Sequence, residues 1–222
     1  MIKAAIFDMD GLLIDSEPVW ERVELAAFNK VGLPLTKALH DQMRGMSLND
    51  IVDMLLAKHP NTLIFDKSKF IAEVQHQVNA ALADQVELLP GAMETINTCR
   101  SVGLLTAIAS SSPGMIIRTV TDKFDLATKM NSIHSGYNEK VSKPNPAIFL
   151  STARQLGVQP SDCLVFEDAI AGVQAAKAAG MICVAVPDPT MFDYAEYDIA
   201  DFKLHSLTEF SALKNRLHLY HI

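Results

Sequence analysis

Short apolar runs that each stop abruptly at polar residues constrain this 222-residue chain more than any other feature. Ile2 to Phe7 is nearly continuously apolar and runs into Asp8-Met9-Asp10-Gly11. Leu104 to Ala109 runs into Ser110-Ser111-Ser112-Pro113-Gly114, and Cys163 to Phe166 into Glu167-Asp168. An unbroken apolar stretch bounded by turn-forming residues is how a strand buried on both faces of a parallel sheet reads. Helical patterns follow over roughly 113–123, 145–156 and 169–179, with Gly180 placed to cap the last one before the apolar run Met181 to Val186. This alternation predicts an α/β fold, a parallel sheet covered by helices on both faces. Ligands of such sheets bind at the carboxyl ends of the strands, so polar clusters distant in sequence should meet in one crevice.

Residues 17–86 break the alternation. They show helical periodicity and no convincing strand, with Val19, Val23, Ala26 and Ala27 on one face and Ile51, Leu55 and Leu56 on another. The reading is an all-helical domain over 16–86 inserted into a core made of 1–15 and 87–222, with the return marked by the breaker Leu88-Leu89-Pro90-Gly91. A chain of this length buries about 70% of its unfolded surface, so the fold needs no disulfide or structural metal. Cys99, Cys163 and Cys183 are odd in number, widely spaced and set in apolar stretches, as expected of reduced core residues. The first apolar run is too short for a signal peptide and no stretch is long enough to span a bilayer, so a cytoplasmic location is expected. With 19 basic and 26 acidic residues, a net charge of −7 and no block of like charge, nucleic acid and anionic membrane are poor candidates for partners. A phosphorylated small molecule is not excluded, because a pocket needs only a few local positive groups, and the chain is expected to act as a monomer.

Four clusters carry candidate chemistry, and each admits a plainer explanation. Asp8 and Asp10 are two apart at a strand end, a spacing that can put both carboxylates on one side of the backbone. Phosphoryl transfer through a covalent intermediate needs one group to attack phosphorus and another to move protons, and two aspartates can divide that work. The same four residues also make an ordinary polar turn, with Gly11 permitting the sharp bend. Ser110 and its neighbouring amides could cradle a phosphate at a helix start, or simply cap that helix. Lys143, restrained by Pro144 and Pro146, could neutralise phosphate charge or lie solvated in a loop. Glu167 and Asp168 suit a hard cation such as magnesium, or merely complement a helix dipole. Four such clusters in this order, each expected at a strand's carboxyl end, are hard to assign to separate accidents.

As a set, Phe7-Asp8-Met9-Asp10-Gly11, Ala109-Ser110-Ser111-Ser112, Ser142-Lys143-Pro144 and Phe166-Glu167-Asp168 resemble the four motifs of the haloacid dehalogenase superfamily. The resemblance covers nearly the whole chain and implies a Rossmann-like core with a helical cap of the C1 type. It implies that Asp8 is nucleophile and metal ligand, and that Asp10 is general acid and base and binds Mg2+ through its carbonyl. Ser110, with Ser111 beside it, and Lys143 would hold the phosphoryl group; Asp168 and Glu167 would complete the metal site. Asp15-Ser16-Glu17-Pro18 and Arg44-Gly45-Met46-Ser47 are similar to the branch that contains β-phosphoglucomutase and the sugar phosphatases, which implies that Glu17, Gly45, Met46 and Ser47 face the sugar. Where the mutase has an arginine after its cap Gly-x-Ser, this chain has Leu48, and where the mutase has a histidine in its hinge helix, this chain has Trp20. The expected activity is therefore hydrolysis of small sugar phosphates, hexose and hexitol phosphates such as 2-deoxyglucose 6-phosphate, with water as final acceptor.

A sugar-phosphate isomerase is the alternative, kept open by Arg44. A dehalogenase needs neither Asp10 nor Asp168, and a purely binding sensor has no use for two clustered aspartates. The seven histidines show no metal-ligand spacing and receive no role. Trp20 and Met46 could touch substrate, although apolar residues on cap helices more often fill the cap core.

Overall fold

The computed structural model describes residues 1–59 and 66–217. Strand β1 (Ala4–Phe7) is followed by four helices, α1 (Glu17–Lys30), α2 (Lys37–Gln42), α3 (Leu48–Lys58) and α4 (Lys67–Gln85). The chain then continues through α5 (Ala92–Ser101), β2 (Leu105–Ser110), α6 (Gly114–Lys123), β3 (Ser132–Ser135) and α7 (Ala147–Leu156). It ends with β4 (Cys163–Glu167), α8 (Ile170–Ala178), β5 (Ile182–Ala185), β6 (Phe202–Lys203) and α9 (Phe210–Arg216). The six strands form one parallel sheet in the order β3-β2-β1-β4-β5-β6. The chain reverses its winding beside β1, which makes the carboxyl ends of β1, β2 and β4 the crevice of the sheet.

Strand alternation divides the core. Ala5, Phe7, Leu164, Phe166 and Val184 pack on one face with α5, α6 and α9, and continue into the cap helices through Val19, Leu55 and Val78. Ala4, Ile6, Cys163, Val165 and Cys183 face the other way, onto Phe149 of α7 and Val173 of α8. All three cysteines are free and buried, as the apolar setting predicts. Phe7 stacks on Phe166, centroids 4.8 Å apart, and so anchors β1 to β4 immediately beneath their polar ends. Helix α8 ends where expected: Gly180 N–H donates to the Lys177 carbonyl and Met181 N–H to that of Ala176.

The sequence reading needs three adjustments. β1 starts at Ala4, because Lys3 is exposed and turned to Asp162. Ala26 is exposed, the apolar face of α1 running through Val19, Val23 and Phe28 instead. β3 carries no apolar run, since this edge strand is only half covered and its Ser and His residues meet solvent.

The described residues between β1 and β2 hold no strand before the α4–α5 connection; the stretch 60–65, read as part of the helical insert, and 218–222, read as part of the core, lie outside the described residues. The chain leaves and re-enters the core side by side. Ile14 bridges Leu88 in antiparallel fashion, Asp15 N–H donates to the Glu87 carbonyl at 3.0 Å, and Leu89 N–H to that of Leu13 at 2.9 Å. No helix among the described residues is long and apolar enough to cross a membrane.

Candidate active site

Pairing of Phe7 with Phe166 in the register of β1 and β4 places the next residues, Asp8 and Glu167, at adjoining strand ends. Lys143 reaches between them from the segment before α7, donating to Asp8 Oδ1 at 2.5 Å and Glu167 Oε2 at 3.0 Å. Its side chain is 1% exposed, so the plainer alternative, a solvated loop lysine, is excluded. Asp168 joins the group: oxygens of Asp8, Glu167 and Asp168 lie within 4.8 Å of one another. Burial raises all three carboxyls above their ordinary values despite Lys143, with repulsion added by Asp10 at Asp8, by Asp8 at Glu167 and by Glu167 and Asp8 at Asp168; Glu167 is pushed up to about 8. For Lys143, burial opposes the charge, but Asp8 and Glu167 outweigh it and drive the ammonium upward.

Two glycines make room for this cluster. A Cβ on Gly11, whose φ is +78°, would stand 2.3 Å from Asp168 Oδ2. One on Gly172, in the first turn of α8, would stand 2.0 Å from the Glu167 carboxyl carbon. Three carboxylates facing one ammonium leave an excess of buried negative charge, and Asp168 Oδ1 is buried without a hydrogen-bond partner among the described residues. An all-oxygen set with surplus negative charge and an unanswered oxygen fits a hard divalent cation.

Asp10 stands apart from that set. Its Oδ1 accepts from Ser16 Oγ at 2.8 Å and Trp20 Nε1 at 3.0 Å, and its Oδ2 from Ser110 Oγ at 3.1 Å and Ser112 Oγ at 2.8 Å. These four donated bonds hold the Asp10 carboxyl between the start of α1 and the end of β2. Any part for Asp10 in metal binding is left to its carbonyl. The hydroxyl of Ser110 is fully buried, bonded to Asp10 and to Ser112 N–H, whereas Ser111, Ser112 and Pro113 line the pocket. Ser110 does not cap α6, which starts only at Gly114.

The sequence reading assigned no role to Ser16 or Ser112 and set Trp20 aside. Ser16 looks like an N-cap for α1, yet it makes no side-chain cap bond there and its hydroxyl goes to Asp10. The usable signal was spacing: residues 16 and 20 are one turn apart on the same helix face.

The cap supplies the opposite wall through Glu17, Trp20, Glu24, His40, Met43, Arg44, Gly45, Met46, Leu48, Ile51 and Gln75. Ser111 Oγ donates to the Gly45 carbonyl at 2.9 Å, a direct link between walls. Ser47, expected at the sugar, has a different part: it caps α3, donating to Asp50 Oδ2 at 2.6 Å and accepting Asp50 N–H, so its hydroxyl is used within its own turn. Glu17 is raised to about 7, burial outweighing the nearby charge of Arg44. Arg44 in turn is surrounded by Glu17 Oε2 at 2.9 Å, Asp41 Oδ1 at 3.6 Å and Asp188 Oδ2 at 3.6 Å. His40, given no role from sequence, is buried in the same wall against Glu24.

Comparison with known proteins gives the family. Residues 2–180 match the model of the haloacid dehalogenase-like hydrolases. Hexitol phosphatase B of Escherichia coli K12 is 38% identical over 217 residues, covering 95% of each chain. A phosphorylated carbohydrates phosphatase of Thermotoga maritima is 28% identical, covering 81% of this chain and 82% of its own. Among solved structures, β-phosphoglucomutase from Clostridium difficile superposes with a TM-score of 0.85 at 24% identity, covering 98% of each chain, a likeness of fold. The chain belongs to the haloacid dehalogenase-like hydrolase family. Within it, the chain is a phosphatase.

Proposed function

We propose that this chain is a magnesium-dependent phosphomonoester hydrolase that acts on small sugar phosphates, hexose and hexitol phosphates among them, through an aspartyl-phosphate on Asp8. The observation that carries the reading is the position of Asp8: pinned at Oδ1 by a buried ammonium, set among further carboxylates, and opening on a pocket that Asp10 also lines. Homology to a hexitol phosphatase and to a phosphatase of phosphorylated carbohydrates supports the substrate class. The space between the walls is lined by Asp8 and Asp10 on the core side and by Glu17, Trp20 and Gly45 on the cap side, where a small phosphomonoester would lie.

In this mechanism the Asp8 oxygen not held by Lys143 attacks phosphorus as the bond to the sugar oxygen breaks, and Asp10 in its protonated form delivers a proton to that oxygen. Asp10, now a carboxylate, takes a proton from water, whose oxygen attacks the same phosphorus and returns Asp8 and inorganic phosphate. Lys143 offsets the charge of the incoming phosphate, while Ser111 and Ser112 face it from the strand end. Asp8, Glu167 and Asp168, with the Asp10 carbonyl, are the groups that would hold magnesium, which when bound would supply charge neutralisation for a carboxylate approaching a phosphate. The cap, residues 16–86, would close over the sugar by bending at the paired crossings near Ile14 and Leu88.

Transfer of the phosphoryl group to a second sugar position is disfavoured. Leu48 stands where the mutase holds an arginine, and Arg44, the other cation at hand, already faces three carboxylates that would repel a second phosphate. Hexose, hexitol and pentose phosphates assayed for released phosphate, with and without magnesium, test the reading. Free phosphate released only with the metal is expected, and Asp8→Asn should lower kcat by about 10⁴-fold or more. Isomerisation of a hexose 1-phosphate without phosphate release, or turnover retained in Asp8→Asn, would overturn it.

A further inference from the structure

The cap wall holds buried polar groups that the chemistry above leaves unused. Glu24 of α1 and His40 of α2 are 4% and 5% exposed, and His40 Nε2 lies 3.2 Å from Glu24 Oε2. Gln75 of α4, 9% exposed, lines the pocket with them, among Met43, Met46, Leu48 and Ile51. Such groups destabilise an apolar helical assembly unless each atom is answered. Two are not. His40 Nδ1, 3.9 Å from Asp41 Oδ1, and Gln75 Nε2 have no hydrogen-bond partner among the described residues. Both belong to side chains at least nine-tenths buried that line the space where the leaving group of a phosphomonoester must lie.

We propose that Glu24, His40 and Gln75 recognise the hydroxyl groups of the substrate's carbon chain, and that this wall selects polyol phosphates over other phosphomonoesters. The inference rests on the sugar-phosphate reading above and assigns it specific residues. With its Nε2–H given to Glu24, the His40 ring offers Nδ1 as acceptor when neutral and as donor when protonated, and a hydroxyl satisfies either state. The Gln75 amide donates, while the Glu24 carboxylate accepts. Donors and acceptors present in one wall match a run of hydroxyls, each of which does both. A second phosphate or a carboxylate on the substrate would meet Glu24 as a like charge, and an apolar leaving group would leave His40 Nδ1 and Gln75 Nε2 buried and unpaired. A site built to bond a hydroxyl rejects the analogue that lacks it much more strongly than an apolar pocket rejects an extra methylene.

The test compares kcat/KM for a hexitol phosphate with that for p-nitrophenyl phosphate, in magnesium, for the wild type, Gln75→Leu and Gln75→Met. The ratio of polyol to aryl efficiency should fall by at least about 10-fold in either variant, mainly through KM. Across a series of deoxy analogues, the wild type should lose efficiency at one hydroxyl position at which the Gln75 variants treat parent and analogue alike. Gln75→Met, nearest to glutamine in shape, supplies the result should Gln75→Leu fail to fold. An unchanged ratio with an unchanged deoxy profile overturns this inference and leaves the phosphatase reading intact. A wild type that hydrolyses the aryl ester but no polyol phosphate overturns both.

Discussion

The core wall of the pocket carries Asp8, Glu167 and Asp168 around Lys143, each carboxylate within a residue of a strand end and the ammonium bonded to two of them. The cap wall carries Glu17, Glu24, His40, Arg44 and Gln75, contributed by three helices and a loop, and His40 Nδ1 and Gln75 Nε2 make no hydrogen bond to any described residue. One wall is fixed by a sheet whose register cannot slip without turning side chains to the wrong face. The other hangs from two neighbouring crossings of the chain. On the proposed function, the groups that would meet phosphorus sit on the wall fixed by the sheet, and those that would select the substrate sit on the wall proposed to close over it.

Removing the charge at the centre of the core wall should have the largest effect. Lys143→Met leaves Asp8 and Glu167 buried and facing each other; urea unfolding of the metal-free protein should show a loss of about 3–5 kcal/mol, the usual result of breaking a buried pair from one side. A loss below about 1 kcal/mol, the value of an exposed pair, would remove the contrast between the walls.

Titration gives the next effect. Glu167 is held up to about 8 and Glu17 to about 7, both from an ordinary 4.5. A carboxyl whose value is higher in the folded state binds its proton more tightly there, so its contribution is complete below about 4.5 and is lost as pH rises through the folded value. Metal-free protein should therefore lose resistance to urea between about pH 4.5 and 8, and Glu167→Gln should flatten that slope more than Glu17→Gln. Magnesium should reverse the trend if the core wall holds it. Equal slopes in the two variants would mean that the walls are alike in electrostatic strain.

The link between the walls is tested by Trp20→Phe, which deletes the indole donor to Asp10 and keeps the three serine hydroxyls. A bond to a charged group of this kind is worth roughly 1.5–3 kcal/mol, so kcat should fall about 10- to 100-fold, with a shifted limb in its pH profile. A pure packing role would leave the pH profile in place. Ser111→Ala should matter least: losing the hydroxyl bond to the Gly45 carbonyl should change KM by only a few-fold, about 0.5–1.5 kcal/mol. A loss of 100-fold or more in kcat would instead give the Ser111 hydroxyl a direct part in holding phosphate.

Legibility in the sequence followed the same division between walls. Asp8, Asp10, Glu167 and Asp168 close apolar runs, and Lys143 stands directly before a pair of prolines, Pro144 and Pro146, so local pattern was enough to nominate them. Trp20 and Glu24 also left a trace, since Glu17, Trp20 and Glu24 recur at i, i+3 and i+7 and share the pocket face of α1. His40 and Gln75 left none. They lie on other helices, and nothing in the spacing of 24, 40 and 75 marks them as neighbours. Ser47, nominated for the sugar, follows the cap glycine by two positions and is equally suited to start a helix, and it does cap α3.

Sequence alone determined the α/β class, the parallel sheet, the helical insert and the residues nominated for the reaction. These follow from backbone burial and strand periodicity, which act over a few residues and are written locally. Only the tertiary structure decided that Asp10 is held by four donors drawn from the Ser16–Trp20 turn of α1 and the end of β2, that Arg44 is enclosed by carboxylates, and that Glu24, His40 and Gln75 line one pocket. Those contacts depend on how separate helices pack over a sheet edge, and packing joins residues by shape and burial at any distance along the chain.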